Sequence, residues 1–182
     1  SQDGFTHSQS SIRKGRRSSA AEAYLRPALK RGGVKLETGV HVTRILFEGK
    51  RAVGAEYLQG GQTREARCNE EVIVSGGAIN SPQILMLSGI GDPDHLGTHG
   101  IDVAAPLKGV GKNLSDHTSA ALSFRRKTSG PFQKNMRLDR VGLALIKAYL
   151  GRGGFAADLP FGITAFLKTT PEEPVPDVQM LF

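Results

Sequence analysis

The chain has 182 residues, enough for one domain or parts of two. At 38% hydrophobic it can bury a core, and its one cysteine, Cys68, excludes an internal disulfide framework and suits a reducing compartment. The 24 basic against 17 acidic residues leave a net charge of +7, but the densest basic cluster, Arg13-Lys14-Gly15-Arg16-Arg17, is short and lacks interleaved aromatics, so no nucleic-acid partner is expected.

Up to about Ser18 the sequence is polar and reads as extended or looped. Ser19-x-x-Glu22 is a capping box for a helix carrying Ala20, Ala21, Ala23, Tyr24 and Leu25. Pro27 should break or kink that helix, Ala28–Arg31 can continue it, and Gly32-Gly33 ends it. Strand-like runs follow over Val34–Glu37, Val40–Phe47 and Ala52–Leu58, the last two joined by a hairpin at Glu48–Arg51. Gly60-Gly61 marks another turn before Thr63–Cys68, and Glu71–Val74 completes the set. Strands joined by such short turns cannot all be parallel. An α/β fold is expected, with an antiparallel meander attached to one or two strands of a parallel sheet.

The most informative segment comes next. Val72-Ile73-Val74 feeds a turn of small residues, Ser75-Gly76-Gly77-Ala78, and then Asn80-Ser81-Pro82. Gly76 and Gly77 permit a tight turn and a close ligand approach. Ser81 suits an N-cap and Pro82 the first helical position, and Gly89 suits a helix stop. A strand, a glycine turn and a helix N-terminus together make a place to bind a nucleotide.

Beyond it, Asp92–His99 reads as a short helix or loop, Ile101–Ala104 as a strand, and Pro106–His117 as mostly loop. From Ser119 the character changes. Ala120–Arg126 is strand-like, and Arg137–Leu150 is an amphipathic helix with Leu138, Val141, Leu145 and Ile146 on one side. Gly151-Arg152-Gly153-Gly154 ends it, and Phe161–Thr169 and Val178–Phe182 read as strands. A domain change is placed near Ser119, giving a nucleotide-type part over 1–118, whose first 18 or so residues read as an inter-domain segment, and a second part over 119–182.

Other constellations are weak. His95 and His99 have the i, i+4 spacing of two metal ligands, with Asp94, Asp102, Asp116 and His117 as further candidates, but Gly97 weakens the helix between them. Loop polarity explains them better, and no metal is expected. His117 reads as a hydrogen-bonding residue of its loop rather than a proton carrier. Ser88 is not in a Gly-x-Ser-x-Gly elbow, which leaves a hydrolase reading without support. Gly-x-Gly-x-x-Gly is absent: Gly109-Val110-Gly111 leads to Asn113-Leu114, and Gly89-Ile90-Gly91 to Pro93-Asp94. No apolar run reaches the roughly 20 residues of a membrane-spanning helix.

The stretch Gly77-Ala-Ile-Asn-Ser-Pro-Gln-Ile-Leu-Met-Leu-Ser-Gly-Ile-Gly91 resembles the second signature of the glucose–methanol–choline oxidoreductases, with Gly77, Ala78, Ser81, Pro82, Ile84, Leu85, Ser88, Gly89, Ile90 and Gly91 at its constrained positions. Ser10–Pro27, Gly39–Phe47, Ala52–Tyr57, Gly109–His117 and Pro176–Gln179 resemble flanking segments of the same family, and the wording sits closest to its choline-dehydrogenase-like branch. The resemblance implies an FAD-dependent enzyme that oxidises a small-molecule alcohol: a histidine takes the hydroxyl proton while hydride passes to flavin N5. It further implies that the backbone of Val42 meets the adenine edge and that Ser75, Gly76 and Gly77 lie against the dinucleotide. Asn113 and Asp116 are weaker candidates for holding the loop beneath the cofactor. The second part would be a substrate-binding domain with a mostly antiparallel sheet, against which the Arg137–Leu150 helix would bury Leu138, Val141, Leu145 and Ile146. The family's dinucleotide fingerprint and catalytic histidine match nothing here, so no catalytic residue is assigned and the chain is expected to be an internal segment of a longer enzyme. The implied location is the cytoplasm, or the periphery of the inner membrane for the parent protein. The rival readings are a non-catalytic segment or pseudoenzyme acting as an interaction scaffold, and an unrelated basic binding domain.

Overall fold

A computed structural model describes residues 3–14, 16–125, 127–151, 153–157 and 162–181. They divide into two compact units, one of Leu36–Ala121 and one of Ser1–Lys35 with Leu122–Phe182. Large apolar side chains are exposed in both units, Ile73 and Ile79 in the first and Leu138 and Tyr149 in the second.

Strand β1 (Gly4–His7) opens the chain, followed by a short hairpin of β2 (Ile12–Arg13) and β3 (Arg16–Arg17). The predicted capping box forms by half. Ser19 Oγ accepts the Glu22 N–H at 3.4 Å, while the Glu22 carboxylate pairs with Arg26 at 3.1 Å. The helix begins as a π turn over Ala21–Leu25 and continues as α1 (Arg26–Arg31). Pro27 accounts for this: it has no N–H to donate, and a wider turn before it keeps its ring clear of the preceding carbonyls.

In the Leu36–Ala121 unit, β4 (Val40–Glu48), β5 (Arg51–Gln59) and β6 (Gln62–Arg67) form the antiparallel meander, in the order β4-β5-β6. Gly49, at φ +60°, supplies the positive φ that a two-residue hairpin needs at its first turn position. Every residue of β6 is exposed, and Arg67 pairs with both Glu48 and Glu65 at 3.0 Å. Two expected strands do not form. Val34–Glu37 is irregular, and Glu71–Val74 carries no strand assignment. The latter keeps a strand's alternation, with Val72 and Val74 half-buried and Ile73 76% exposed. No described strand lies alongside to pair with it, and strand assignment requires a partner.

Helix α2 (Gly77–Leu87) starts earlier than the Ser81 N-cap predicts, so Pro82 lies inside it. Gly77, at φ +86°, turns the chain into the helix before Ser81 is reached. Beyond it, β7 (Ile90–Gly91), α3 (Pro93–Thr98) and β8 (Ala105–Pro106) make a small parallel crossover around Leu96, which is 1% exposed. The strand expected over Ile101–Ala104 is displaced to Ala105–Pro106. The Gly89 carbonyl accepts from both Ala104 N–H (2.8 Å) and Ala105 N–H (3.1 Å), which sets this register. Only glycine permits the approach, since a Cβ at position 89 would lie 2.3 Å from the Asp102 carbonyl oxygen.

The chain then returns to the other unit through α4 (Pro131–Asn135), α5 (Leu138–Tyr149), β9 (Ile163–Leu167) and β10 (Val178–Leu181). β9 is the centre of an antiparallel sheet, β1-β9-β10, with Thr164 and Ala165 buried and Ser8 Oγ 2.7 Å from Thr164 Oγ1. No strand forms over 120–125; Arg126, Phe161 and Phe182, at the ends of three expected strands, lie outside the described residues. Helix α5 is where predicted, but the four apolar side chains do not share one buried face. Leu138 is 91% exposed and Leu145 and Ile146 are also exposed, while Val141, Ala144 and Ala148 are half-buried. The helix packs on the single turn Phe155–Ala157, which accommodates the smaller residues.

One side chain ties α2 to the meander. Ser88 Oγ donates to the Ile84 carbonyl at 2.6 Å and accepts the Ile45 N–H at 2.8 Å. Ser88→Ala leaves that edge amide, on the 7% exposed Ile45, without a partner. A loss of about 1–3 kcal/mol in denaturant unfolding is expected. Faster amide exchange at Ile45 than at the neighbouring strand residues checks the assignment.

Candidate functional site

The free edge of β4 is shaped by a bulge. Val42 is opposite Tyr57 and Ile45 opposite Ala55, so Thr43 and Arg44 together face Glu56. Two residues against one is the signature of a β-bulge. Glu56 fastens both: Thr43 Oγ1 donates to Glu56 Oε1 at 2.7 Å and lies 3.2 Å from its carbonyl oxygen, and Arg44 Nη2 donates to Oε2 at 2.9 Å.

The bulge fixes the direction of Val42. Ile45 gives its N–H to Ser88 rather than to β5, so Ile45 and Ala55 form a non-hydrogen-bonded pair. Val42↔Tyr57 is two residues further along β5 and is therefore a pair of the same kind. The N–H and C=O of Val42 point outward from the sheet, along the edge that no strand occupies among the described residues. A backbone donor and acceptor side by side are what an adenine edge requires. The valine side chain is half-buried and has no part in this.

Ser75, Gly76 and Gly77 form an exposed turn at the N-terminus of α2. No side chain caps the helix and no acidic residue lies in its first turn, so its first amides are open to a negatively charged group. A Cβ on Gly77 would meet nothing within 4 Å, but its φ of +86° strains any other residue there. A Cβ on Gly76 would come within 3.1 Å of Asn80 Cβ. Val42 and this turn belong to one unit, joined by the Ser88–Ile45 bond at the opposite end of α2 from Gly77, about 16 Å along the helix axis.

The loop after β8 is pinned from both sides. Lys112 Nζ meets Asp92 Oδ2 at 2.8 Å, and the same carboxylate caps α3 through the Asp94 N–H at 3.2 Å. Gly111 passes close to Met86 of α2, where a Cβ would lie 3.1 Å from the Met86 methyl carbon. Asn113 follows with φ +59°, a conformation that asparagine tolerates better than most residues. Asp116 Oδ1 accepts the His117 N–H at 2.7 Å in an exposed loop. His95 and His99 stack edge to face at 4.9 Å, and among the described residues no three His, Cys, Asp or Glu side chains converge as metal ligands.

Thr43, Arg44, Glu56 and Ser88 were missed as site-forming residues. A signal for the bulge exists in the sequence. Val40 and Val42 keep the two-residue alternation of a strand, and the next core position is Ile45, one residue late.

Comparison with known proteins gives the family. The GMC oxidoreductase family model matches residues 1–119. This chain belongs to that family. It is 46% identical to the mitochondrial choline dehydrogenase of Homo sapiens, across 100% of this chain and 30% of that relative. It is 42% identical to the oxygen-dependent choline dehydrogenase of Rhizobium etli, across 100% of this chain and 33% of that one. Among solved structures it resembles an FAD-dependent oxidoreductase from Chaetomium thermophilum, with a TM-score of 0.77 at 22% identity over 89% of this chain and 29% of that one. At that identity the likeness speaks for the fold. The chain spans about a third of the length of its curated GMC relatives. No helix among the described residues is long and apolar enough to cross a membrane.

The bulge clamp carries a titration. The hydrogen bond from Arg44, and then that from Thr43, hold the Glu56 carboxyl below its ordinary range. A depressed folded-state pKa contributes stability at pH values above the unfolded value, which is lost as pH falls through the folded one. The meander is therefore expected to weaken below about pH 4. Glu56→Gln should flatten that acid limb in thermal melts taken across pH; an unchanged limb would assign the loss to other carboxylates, Asp92 with its Lys112 partner being the first to examine.

Proposed function

We propose that the Leu36–Ala121 unit is part of an FAD-binding domain and that the parent enzyme oxidises the CH–OH group of a small alcohol. The observation that carries this reading is the outward-facing Val42 backbone in the same unit as the uncapped Gly76-Gly77 helix start. One offers an outward-facing donor and acceptor to a base; the other offers amides and space to the charged part of a dinucleotide. These residues fit FAD, which when bound would supply the acceptor for hydride. The family membership and the names of the choline dehydrogenase relatives support an alcohol as substrate and a choline-like one as the first to try.

This chain's share of the work is binding and orientation. Val42 would read the base through its backbone, Ser75, Gly76 and Gly77 would line the dinucleotide, and the pinned loop would bring Asn113 and Asp116 beneath it. The division into a partial FAD domain over 1–118 and a partial substrate domain over 119–182 belongs to the same proposal. The change of unit between Ala121 and Leu122 supports the boundary near Ser119, while the grouping of Ser1–Lys35 with Leu122–Phe182 and the pairing of β1 with β9 favour counting the first 35 residues on the substrate side. The compartment proposed is the cytoplasm, supported by the single cysteine.

Two experiments test the reading. The full-length parent should carry yellow flavin and reduce an artificial electron acceptor with choline or a related alcohol, while this chain purified alone should be colourless and inactive. A parent that folds without flavin overturns the proposal. Within the parent, Gly77→Val should lower flavin per folded protein several-fold and Val42→Ala should barely change it. Strain at a left-handed position damages the turn, whereas alanine preserves a backbone contact. Equal losses in the two variants, with folding checked by circular dichroism, would remove the assignment of Val42 and Gly77.

A further inference from the structure

We propose that Thr43, Arg44 and Glu56 are positioning residues for the cofactor, holding the bulge that turns the Val42 backbone toward the nucleotide; this rests on the FAD reading above. None of them need touch the ligand. The argument is one of parity. Along a regular strand the N–H and C=O of successive residues alternate between the two edges, so an insertion of one residue reverses every group beyond it. Ile45 faces outward to Ser88, and three residues earlier an uninterrupted ladder would turn Val42 inward toward β5. The bulge restores the outward direction.

The side chains at the bulge are suited to hold it. Thr43 is the extra residue, and its hydroxyl spans to the Glu56 carboxylate at 2.7 Å and lies 3.2 Å from its carbonyl oxygen. Arg44 closes the other carboxylate oxygen at 2.9 Å. Both oxygens of one carboxylate are thus used, one for each of the two residues that share its register position. The Glu56 side chain is 19% exposed, against 54% for Arg44, so the carboxylate is the inner member of the clamp. Loss of the clamp would free the ladder to slip by one residue, and a one-residue slip returns the Val42 backbone to β5 and moves its side chain to the other face.

The test uses the full-length parent as apoenzyme, with FAD and FMN as separate probes, since FMN lacks the adenine that Val42 would meet. Thr43→Val keeps the branched shape and removes the hydroxyl, and Thr43→Ser restores it. Glu56→Gln keeps shape and removes the charge. The expected result for Thr43→Val and Glu56→Gln is a roughly 10-fold weaker Kd for FAD, the size expected for one lost hydrogen bond to a charged group, with the Kd for FMN unchanged. Thr43→Ser should recover FAD binding to within about 3-fold of the unmodified enzyme. If FAD and FMN affinities fall together, through misfolding or otherwise, or if neither moves, the clamp has no positioning role. A parent that binds no flavin in its unmodified form would instead overturn the FAD reading itself.

Discussion

The hydroxyl of Ser88 is the joint on which the nucleotide-type unit turns. It takes the Ile45 N–H from the edge of the meander and returns its own proton to the last turn of α2. A helix satisfies its own interior amides, whereas a strand edge leaves alternate amides open. Here one side chain gives the edge amide a partner and holds the two elements together. The consequences run in both directions along the chain. On the strand, the bond fixes which way Ile45 faces, and with it the sense of every residue back to Val42. On the helix, it anchors the end opposite the Gly76-Gly77 turn, so the glycine turn sits at the far end of a held rod.

The electrostatics of the unit are local. Glu56 serves the bulge through Thr43 and Arg44, and Asp92 serves both the start of α3 and the loop carrying Asn113 through Lys112. Each is an inner carboxylate facing a more exposed cation. Pairs with one exposed member contribute modestly to stability. They act instead on register and loop path, where a small energy decides between two discrete arrangements.

Legibility in the sequence followed whether the folding partner lies within the chain. The meander, its turns and the strands β9 and β10 were readable because alternation and paired glycines act over a few residues, and the short helix at Asp92–His99 was left as helix or loop. Val72–Val74 carries a strand's pattern just as clearly and yet forms no strand, because no described strand lies beside it to pair with. Arg137–Leu150 was legible as a helix and misjudged in its burial for a related reason: periodicity shows which side is apolar, and says nothing of what will cover it. The start of α2 was misplaced by weighing Ser81 and Pro82 above the left-handed Gly77. The proposed site was half visible. Val42 and the glycine turn came from resemblance, whereas the clamp around Glu56 needed the register, although the late arrival of Ile45 after Val42 already recorded the extra residue.

The strand at the other edge of the meander has a different consequence. β6 is solvent-facing throughout, and the ion pairs of Arg67 give its surface charges of both signs. Such an edge discourages another strand from adding to it. If the β4 edge binds the cofactor, the two borders of one small sheet would sit under unequal evolutionary constraint. Substitutions along β6, or changes in length at its Gly60-Gly61 turn, meet mainly water and tolerant surface charges. An insertion between Val42 and Ile45 shifts a helix joint and a backbone-facing edge in the same step. Drift should accumulate on the first border and be purged from the second, so that sequence divergence among relatives would itself trace which side of the sheet is in use.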